Sequence, residues 1–281
     1  MELFKGYFDI NISDKCVTSG NFEETAKSLF ELGYRTIAIN QTIDETTFDE
    51  PNESKKKKKI DKTDVPAPIQ VKEIEGCKDL KILNRLTIAF SNQDIINRIV
   101  KSTNYKKYHI IAAQPESQQA YQYVCNTMEV DVFTFDPSSK PNYKTQRKLY
   151  YQLVQKGVYF ELMYAPAIED STKRKNIIAT AHMYHSYGKS RNIIVSSAIT
   201  NEFLLRSPYD IINLGLIFGL SDGQAKDAIL SNGRNLCIRA MGRRLGKTIM
   251  VVENLELKQD ELESEDEGMD LDQPAQKKSK Q

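Results

Sequence analysis

A TIM-like (β/α) barrel of seven or eight strands is the fold this sequence predicts, and three observations predict it. Short β-branched or aromatic runs alternate with stretches of helical periodicity. Several of the helical stretches have legible ends. The phosphate-binding signatures of open nucleotide-binding sheets are missing.

Taken in order, the first strand is expected over residues 6–12. Asn21-Phe22-Glu23-Glu24 then has capping-box spacing, and its helix stops at Gly33, the usual left-handed C-cap position. A second strand is expected over 36–40. Further strands follow over 86–90, 109–113, 131–135, 158–162 and 192–197, separated mainly by helical stretches. Ser207-Pro208 offers an N-cap followed by proline at the first helical position. Ser221 with Gln224 makes a second capping box. Seven strands spaced in this way fit either a barrel or an open doubly wound sheet. The barrel is favoured because the turn Ser13-Asp14-Lys15-Cys16 contains no Gly-x-Gly-x-x-Gly. Gly246-Lys247-Thr248 ends like a phosphate loop, but the position needing its first glycine is Met241.

Two segments stand outside the alternation. Residues 41–64 hold Pro51, Asn52 and five consecutive lysines at 55–59, with almost no apolar residues; they read as a disordered insertion. Residues 253–281 hold ten acids and four lysines and read as a disordered acidic tail, leaving residues 1–252 as one barrel domain. Of the chain's 39 basic and 38 acidic residues, 35 and 28 belong to that body, which is therefore near +7. Basic bodies tend to meet polyanions. No apolar run reaches the roughly 18–20 residues of a membrane span, and the N-terminus lacks a signal-peptide stretch. The chain is expected to be soluble and intracellular. Cys16, Cys77, Cys125 and Cys237 lack metal or redox spacing and read as small core or surface residues.

A barrel places its working groups at the C-terminal ends of its strands. Those ends supply Asp9, Asn11, Asn40, Ser91, Gln114, Asp136, Glu161, Ser196 and Ser197, but no histidine. Metal-assisted phosphoester hydrolysis needs several His, Asp and Glu ligands converging on an ion. His109 opens a strand at the wrong end, and His182 and His185 read as ordinary helical residues. No Gly-x-Ser-x-Gly elbow occurs. No metal, cofactor or catalytic group is therefore assigned.

Basic residues are better organised. Residues 137–160, 171–201 and 228–252 are acid-free yet rich in lysine and arginine, the first with Tyr143, Tyr150 and Tyr151 interleaved. Such stretches suit phosphate contacts with base stacking; solvated helix faces are the plainer alternative.

The residues also point to a family. Leu32-Gly33-Tyr34 leads into Ile37-Ala38-Ile39-Asn40, and Lys81-Ile82-Leu83-Asn84-Arg85 runs into Leu86-Thr87-Ile88. Phe160-Glu161-Leu162-Met163-Tyr164-Ala165-Pro166 follows. Then come Ile194-Val195-Ser196-Ser197 and Leu205-Arg206-Ser207-Pro208-Tyr209-Asp210. With these motifs, the chain resembles the 30-kDa protein subunit shared by nuclear ribonuclease P and ribonuclease MRP, from about residue 3 to 240. The resemblance implies a barrel related to polymerase-and-histidinol-phosphatase phosphoesterases. Those enzymes carry His-x-His at the end of the first strand, where this chain reads Asp9-Ile10-Asn11. It implies a non-catalytic role in removing the 5′ leader of precursor tRNA, beside the catalytic ribonuclease P RNA and a small ferredoxin-like subunit. MRP RNA is a further expected partner, and the nucleus, with its nucleolus, the expected compartment. The lysines at 55–59 and near 277–280 could serve as import signals. Arg85, Lys173, Arg174, Lys189, Arg191 and Arg206 are the candidate RNA contacts; for Arg85 and Arg206 an internal carboxylate pair is the alternative. The rival function is a free-standing metal-dependent phosphoesterase on the same barrel.

Overall fold

The computed structural model describes residues 4–18, 20, 22–45, 65–71 and 74–246. Seven strands lie in chain order and pair in parallel throughout. They are β1 (Tyr7–Ser13), β2 (Tyr34–Ile43), β3 (Lys81–Phe90), β4 (Ile110–Pro115), β5 (Val132–Phe133), β6 (Tyr159–Met163) and β7 (Ile193–Ser196). Parallel neighbours need long crossovers, and helices supply most of them. These are α1 (Asp14–Thr18), α2 (Phe22–Glu31), α3 (Asp94–Lys101), α4 (Gln118–Asn126), α5 (Arg147–Gln155), α6 (Tyr164–Glu169) and α7 (Ser171–Gly188). After β7 come α8 (Pro208–Ile217), α9 (Asp222–Ile229) and α10 (Ser231–Leu245).

The sheet closes on itself just beyond β7. The Ala198 N–H donates to the Asn11 carbonyl at 2.8 Å, and the Ser13 N–H to the Ile199 carbonyl at 3.1 Å. Among the described residues the barrel therefore has seven strands and no eighth. All seven expected strands exist, with different ends. β5 is only two residues long, whereas β2 and β3 reach further than expected. The expected insertion boundary at residue 41 needs correcting: Gln41, Thr42 and Ile43 continue β2, with Ile43 opposite Ile88. Gln41 is held there by the Tyr108 hydroxyl, which donates to its Oε1 at 2.9 Å. Residues 46–64, the tail 253–281, and Asn21 of the expected capping box lie outside the described residues.

The period of two in each strand builds two apolar layers. Ile37, Ile39, Leu86, Ile88, Ile111, Phe133, Phe160 and Val195 face outward beneath the helices. Phe8, Ile10, Ala38, Ile110, Ala112, Val132 and Ile194 face inward and meet Leu236, Cys237 and Ala240 of α10. Each such Ile, Leu or Phe contributes about 1.5–3 kcal/mol by leaving water. α10 thus closes the N-terminal mouth of the barrel. Asn232 ties it to the Ile193 carbonyl, and Arg243 to Asp131 and the His109 carbonyl. Gly233 permits the approach, since a Cβ there would lie 2.6 Å from the Phe8 Cβ. All four cysteines are buried.

Both caps expected near the end of the chain are present. The Ser207 hydroxyl accepts the Asp210 N–H ahead of Pro208, and Ser221 and Gln224 bond reciprocally.

Candidate functional site

The C-terminal half of the barrel lumen is polar, and its centre is an ion pair. Arg85 on β3 and Glu161 on β6 are both fully buried. The guanidinium grips the carboxylate with two parallel bonds, Nη1 to Oε1 at 2.5 Å and Nη2 to Oε2 at 2.6 Å. Ser196 and Asn11 also donate to Oε1, at 2.6 and 3.0 Å. Arg85 completes its own set with the Ile10 carbonyl at 3.2 Å and the Thr87 hydroxyl at 3.3 Å. Thr87 in turn donates to Asn40 at 2.6 Å. Burial opposes ionisation of Glu161, but the attraction and hydrogen bonds of Arg85, with those of Ser196 and Thr134, prevail and hold its carboxyl below the usual range.

This arrangement decides between the two expectations for Arg85: it makes the internal carboxylate pair and is not an RNA contact. The residue has no exposed surface, and its fork is committed to an internal carboxylate. It also bears on metal chemistry. Glu161, buried in the lumen, has both oxygens on the guanidinium, so a built-in cation stands where an added one would compete. Asn11 presents its amide N–H to the same carboxylate. Asp9 belongs to the other side of β1, because the irregular register between Asp9 and Ile12 lets Asn11 turn inward while Asp9 faces the β1–β7 seam. There Asp9 accepts the Ser197 N–H at 3.0 Å and the Asn11 N–H at 3.3 Å. Among the described residues its Oδ2 has no hydrogen-bond partner, and burial pushes the carboxyl up to about 6. Among the described residues no three His, Cys, Asp or Glu side chains converge as metal ligands.

The remaining expected RNA contacts do not form one patch. α7 has 18 residues and is about 27 Å long at 1.5 Å per residue, with Lys173 and Arg174 in its first turn and Lys189 and Arg191 beyond its last. They sit at opposite ends of the barrel. Arg174 is committed to backbone, donating to the Ala167 carbonyl at 2.6 Å and the Ile168 carbonyl at 3.0 Å. Arg206 likewise holds the Phe203 and Leu205 carbonyls, at 3.1 and 2.7 Å. Lys173 leans on Glu169 at 3.9 Å, an exposed pair of little energetic weight. Lys189 and Arg191 are exposed at the N-terminal end. The interleaved tyrosines are also partly reassigned. Tyr150 is buried and stacked on Phe160 at 4.2 Å, and Tyr143 is stacked on Tyr121 at 4.9 Å, so both serve packing.

Sequence reading placed Glu161 at a strand end without finding its partner. The available signal was an acid within the wholly buried run Tyr159–Met163, which must be paired with a cation, hydrogen-bonded or held neutral.

A closed barrel with a guanidinium–carboxylate pair in its lumen and an α-helix across its N-terminal mouth defines the class. Residues 6–245 match the model of the RNase P subunit p30 family, so the chain belongs to that family. By that membership it is a ribonuclease P protein subunit, a component of an RNA-based enzyme rather than a catalyst on its own. It is 32% identical over 222 residues to the Ribonuclease P protein subunit p30 of Mus musculus, covering 76% of this chain and 78% of the relative. It is 24% identical to the Ribonuclease P/MRP protein subunit RPP1 of Saccharomyces cerevisiae, covering 76% and 73%. Among solved structures, a chain of archaeal ribonuclease P with mature tRNA shares the fold. Its TM-score is 0.59 at 16% identity, covering 89% of this chain and 99% of that one.

Proposed function

We propose that this subunit binds the catalytic RNA of ribonuclease P and stabilises it for removal of 5′ leaders from precursor tRNA. The observation that carries the non-catalytic role is the Arg85–Glu161 pair, which occupies the polar half of the lumen and leaves its central carboxylate no free oxygen. The surplus of basic over acidic residues in 1–252 supports a polyanionic partner. We further propose a small ferredoxin-like protein as a neighbouring subunit, service in ribonuclease MRP and its rRNA processing, and residence in the nucleus and nucleolus. The relative named for both ribonuclease P and MRP supports the second. Affinity purification of the tagged chain from nuclei, followed by sequencing of the retained RNA, tests this reading. Ribonuclease P RNA is the expected dominant species, with MRP RNA beside it. Recovery of neither would sink the proposal. Purified chain with manganese, zinc or magnesium should hydrolyse a generic phosphoester no faster than buffer. Turnover abolished by Asp9→Ala would favour the phosphoesterase reading instead.

A further inference from the structure

The C-terminal mouth, where barrels ordinarily work, is unsuited to phosphate along the ends of β2 to β5. Asp44, Glu45, Glu116 and Asp136 gather there. Burial, followed by the charges of Asp44, Glu45 and Asp136, raises the Glu116 carboxyl above its ordinary value. The N-terminal mouth has the opposite sign. Two clefts of about 660 and 670 Å³ open along the C-terminal half of α10 and share Arg243 and Glu129 in their walls. Glu129 is the one carboxylate among the residues lining them.

The cations at this mouth fall into two sets. Arg239, Arg243 and Lys156 are held in place: Asp131 pairs with Arg243 at 2.8 Å, Arg239 donates to the Val130 carbonyl, and Lys156 to the Cys125 and Asn126 carbonyls. The side chains of Lys101, Lys106 and Arg244 line the first cleft, are exposed, and form no hydrogen bond or ion pair with a described residue. The charge of Arg244 is felt locally, since burial and then Arg244 lower the pKa of His109. Lys189 and Arg191 lie at this same end of the barrel. Free cations around a recess suit a phosphate backbone, whose neutralisation releases counterions.

We infer that ribonuclease P RNA is bound at the N-terminal mouth, with its phosphates on Lys101, Lys106 and Arg244 in the cleft beside α10. This rests on the RNA-binding role proposed above and assigns it a surface. The test is fluorescence anisotropy of a fluorescein-labelled ribonuclease P RNA transcript with the full chain at several salt concentrations. The variant Lys101→Gln/Lys106→Gln/Arg244→Gln should flatten the slope of log affinity against log salt by about 2–3, at roughly 0.7–0.9 per lost contact. Affinity near physiological salt should fall at least about tenfold. Lys173→Gln, at the opposite mouth, should leave the slope unchanged. Should the triple variant melt early, Lys106→Gln alone provides the readout, with a slope change of about 0.7–0.9. Wild-type binding with an unaltered slope in the cleft variants overturns the surface but not the RNA-binding reading; so does a slope change confined to Lys173→Gln. Loss of a protein partner with RNA binding intact also overturns it, making the cleft a protein seat. Absence of RNA binding by the wild-type chain overturns both.

Discussion

Arg85 and Glu161 each lose several kcal/mol of hydration on burial, and only their bidentate geometry with further hydrogen bonds offsets it. The pair is therefore more costly to break than to replace. Arg85→Met should destabilise the fold by about 3–5 kcal/mol in urea denaturation, because it strands a buried carboxylate. Arg85→Met with Glu161→Leu should recover most of that loss; two simply additive losses would contradict the coupling. Asp9 makes the opposite contribution. Its folded pKa of about 6 exceeds the ordinary 3.8, so between pH 4 and 6 the folded chain holds a proton that the unfolded chain has released. Stability from this group is present below that window and is lost as pH rises through it. Asp9→Asn keeps an oxygen for the Ser197 and Asn11 N–H groups and should stabilise the protein at pH 7 by up to about 3 kcal/mol. The gain should vanish by about pH 4. A difference between the two proteins that does not vary with pH would rule out titration of Asp9.

α10 shows what could and could not be read at the level of the element. Its basic side chains are visible in the acid-free stretch 228–252, but nothing local says that they ride on a helix that plugs a barrel mouth. Gly233 predicts the consequence. A methyl group there would meet Phe8 at 2.6 Å, so Gly233→Ala should destabilise by about 1–3 kcal/mol despite the better helix propensity of alanine. A Cβ added at Gly223 in α9 would meet no described atom within 4 Å beyond its own helix, and Gly223→Ala should stabilise by about 0.5–1 kcal/mol. Chemical denaturation of the two variants should show opposite signs; the same sign for both would refute the packing account. The strands were legible because outward faces such as Ile37 and Ile39 or Leu86 and Ile88 alternate locally. Their ends were less legible, since Gln41 and Ile43 are kept in β2 by Tyr108 and Ile88, partners far along the chain. The candidate site was read least well. Sequence leaves Arg85 and Arg206 open between RNA and an internal carboxylate, and only tertiary structure gives Arg85 to Glu161, and Arg174 and Arg206 to backbone carbonyls.

At the level of the whole molecule, the formal charge of +1 conceals two opposed distributions. Residues 1–252 carry 35 basic and 28 acidic side chains, whereas 253–281 carry ten acids and four lysines. A covalently attached polyanion is at high local concentration around the cations of its own chain. It should therefore compete with RNA, most strongly where screening is weak. Removing residues 253–281 should raise affinity for both ribonuclease P RNA and an unrelated transcript, with the largest gain at about 50 mM salt. The gain should shrink towards nothing near about 1 M, where the Debye length is roughly 3 Å. Converting the ten acids to amides should reproduce the deletion, because charge rather than chain length is responsible. Residues 273–281 contain three lysines and no acid, so removing them alone should lower affinity instead. The measurement is fluorescence anisotropy on both RNAs across the salt series. Equal affinities of the full and shortened chains at low salt would mean that the acidic segment does not oppose RNA binding, and the charge argument would fail.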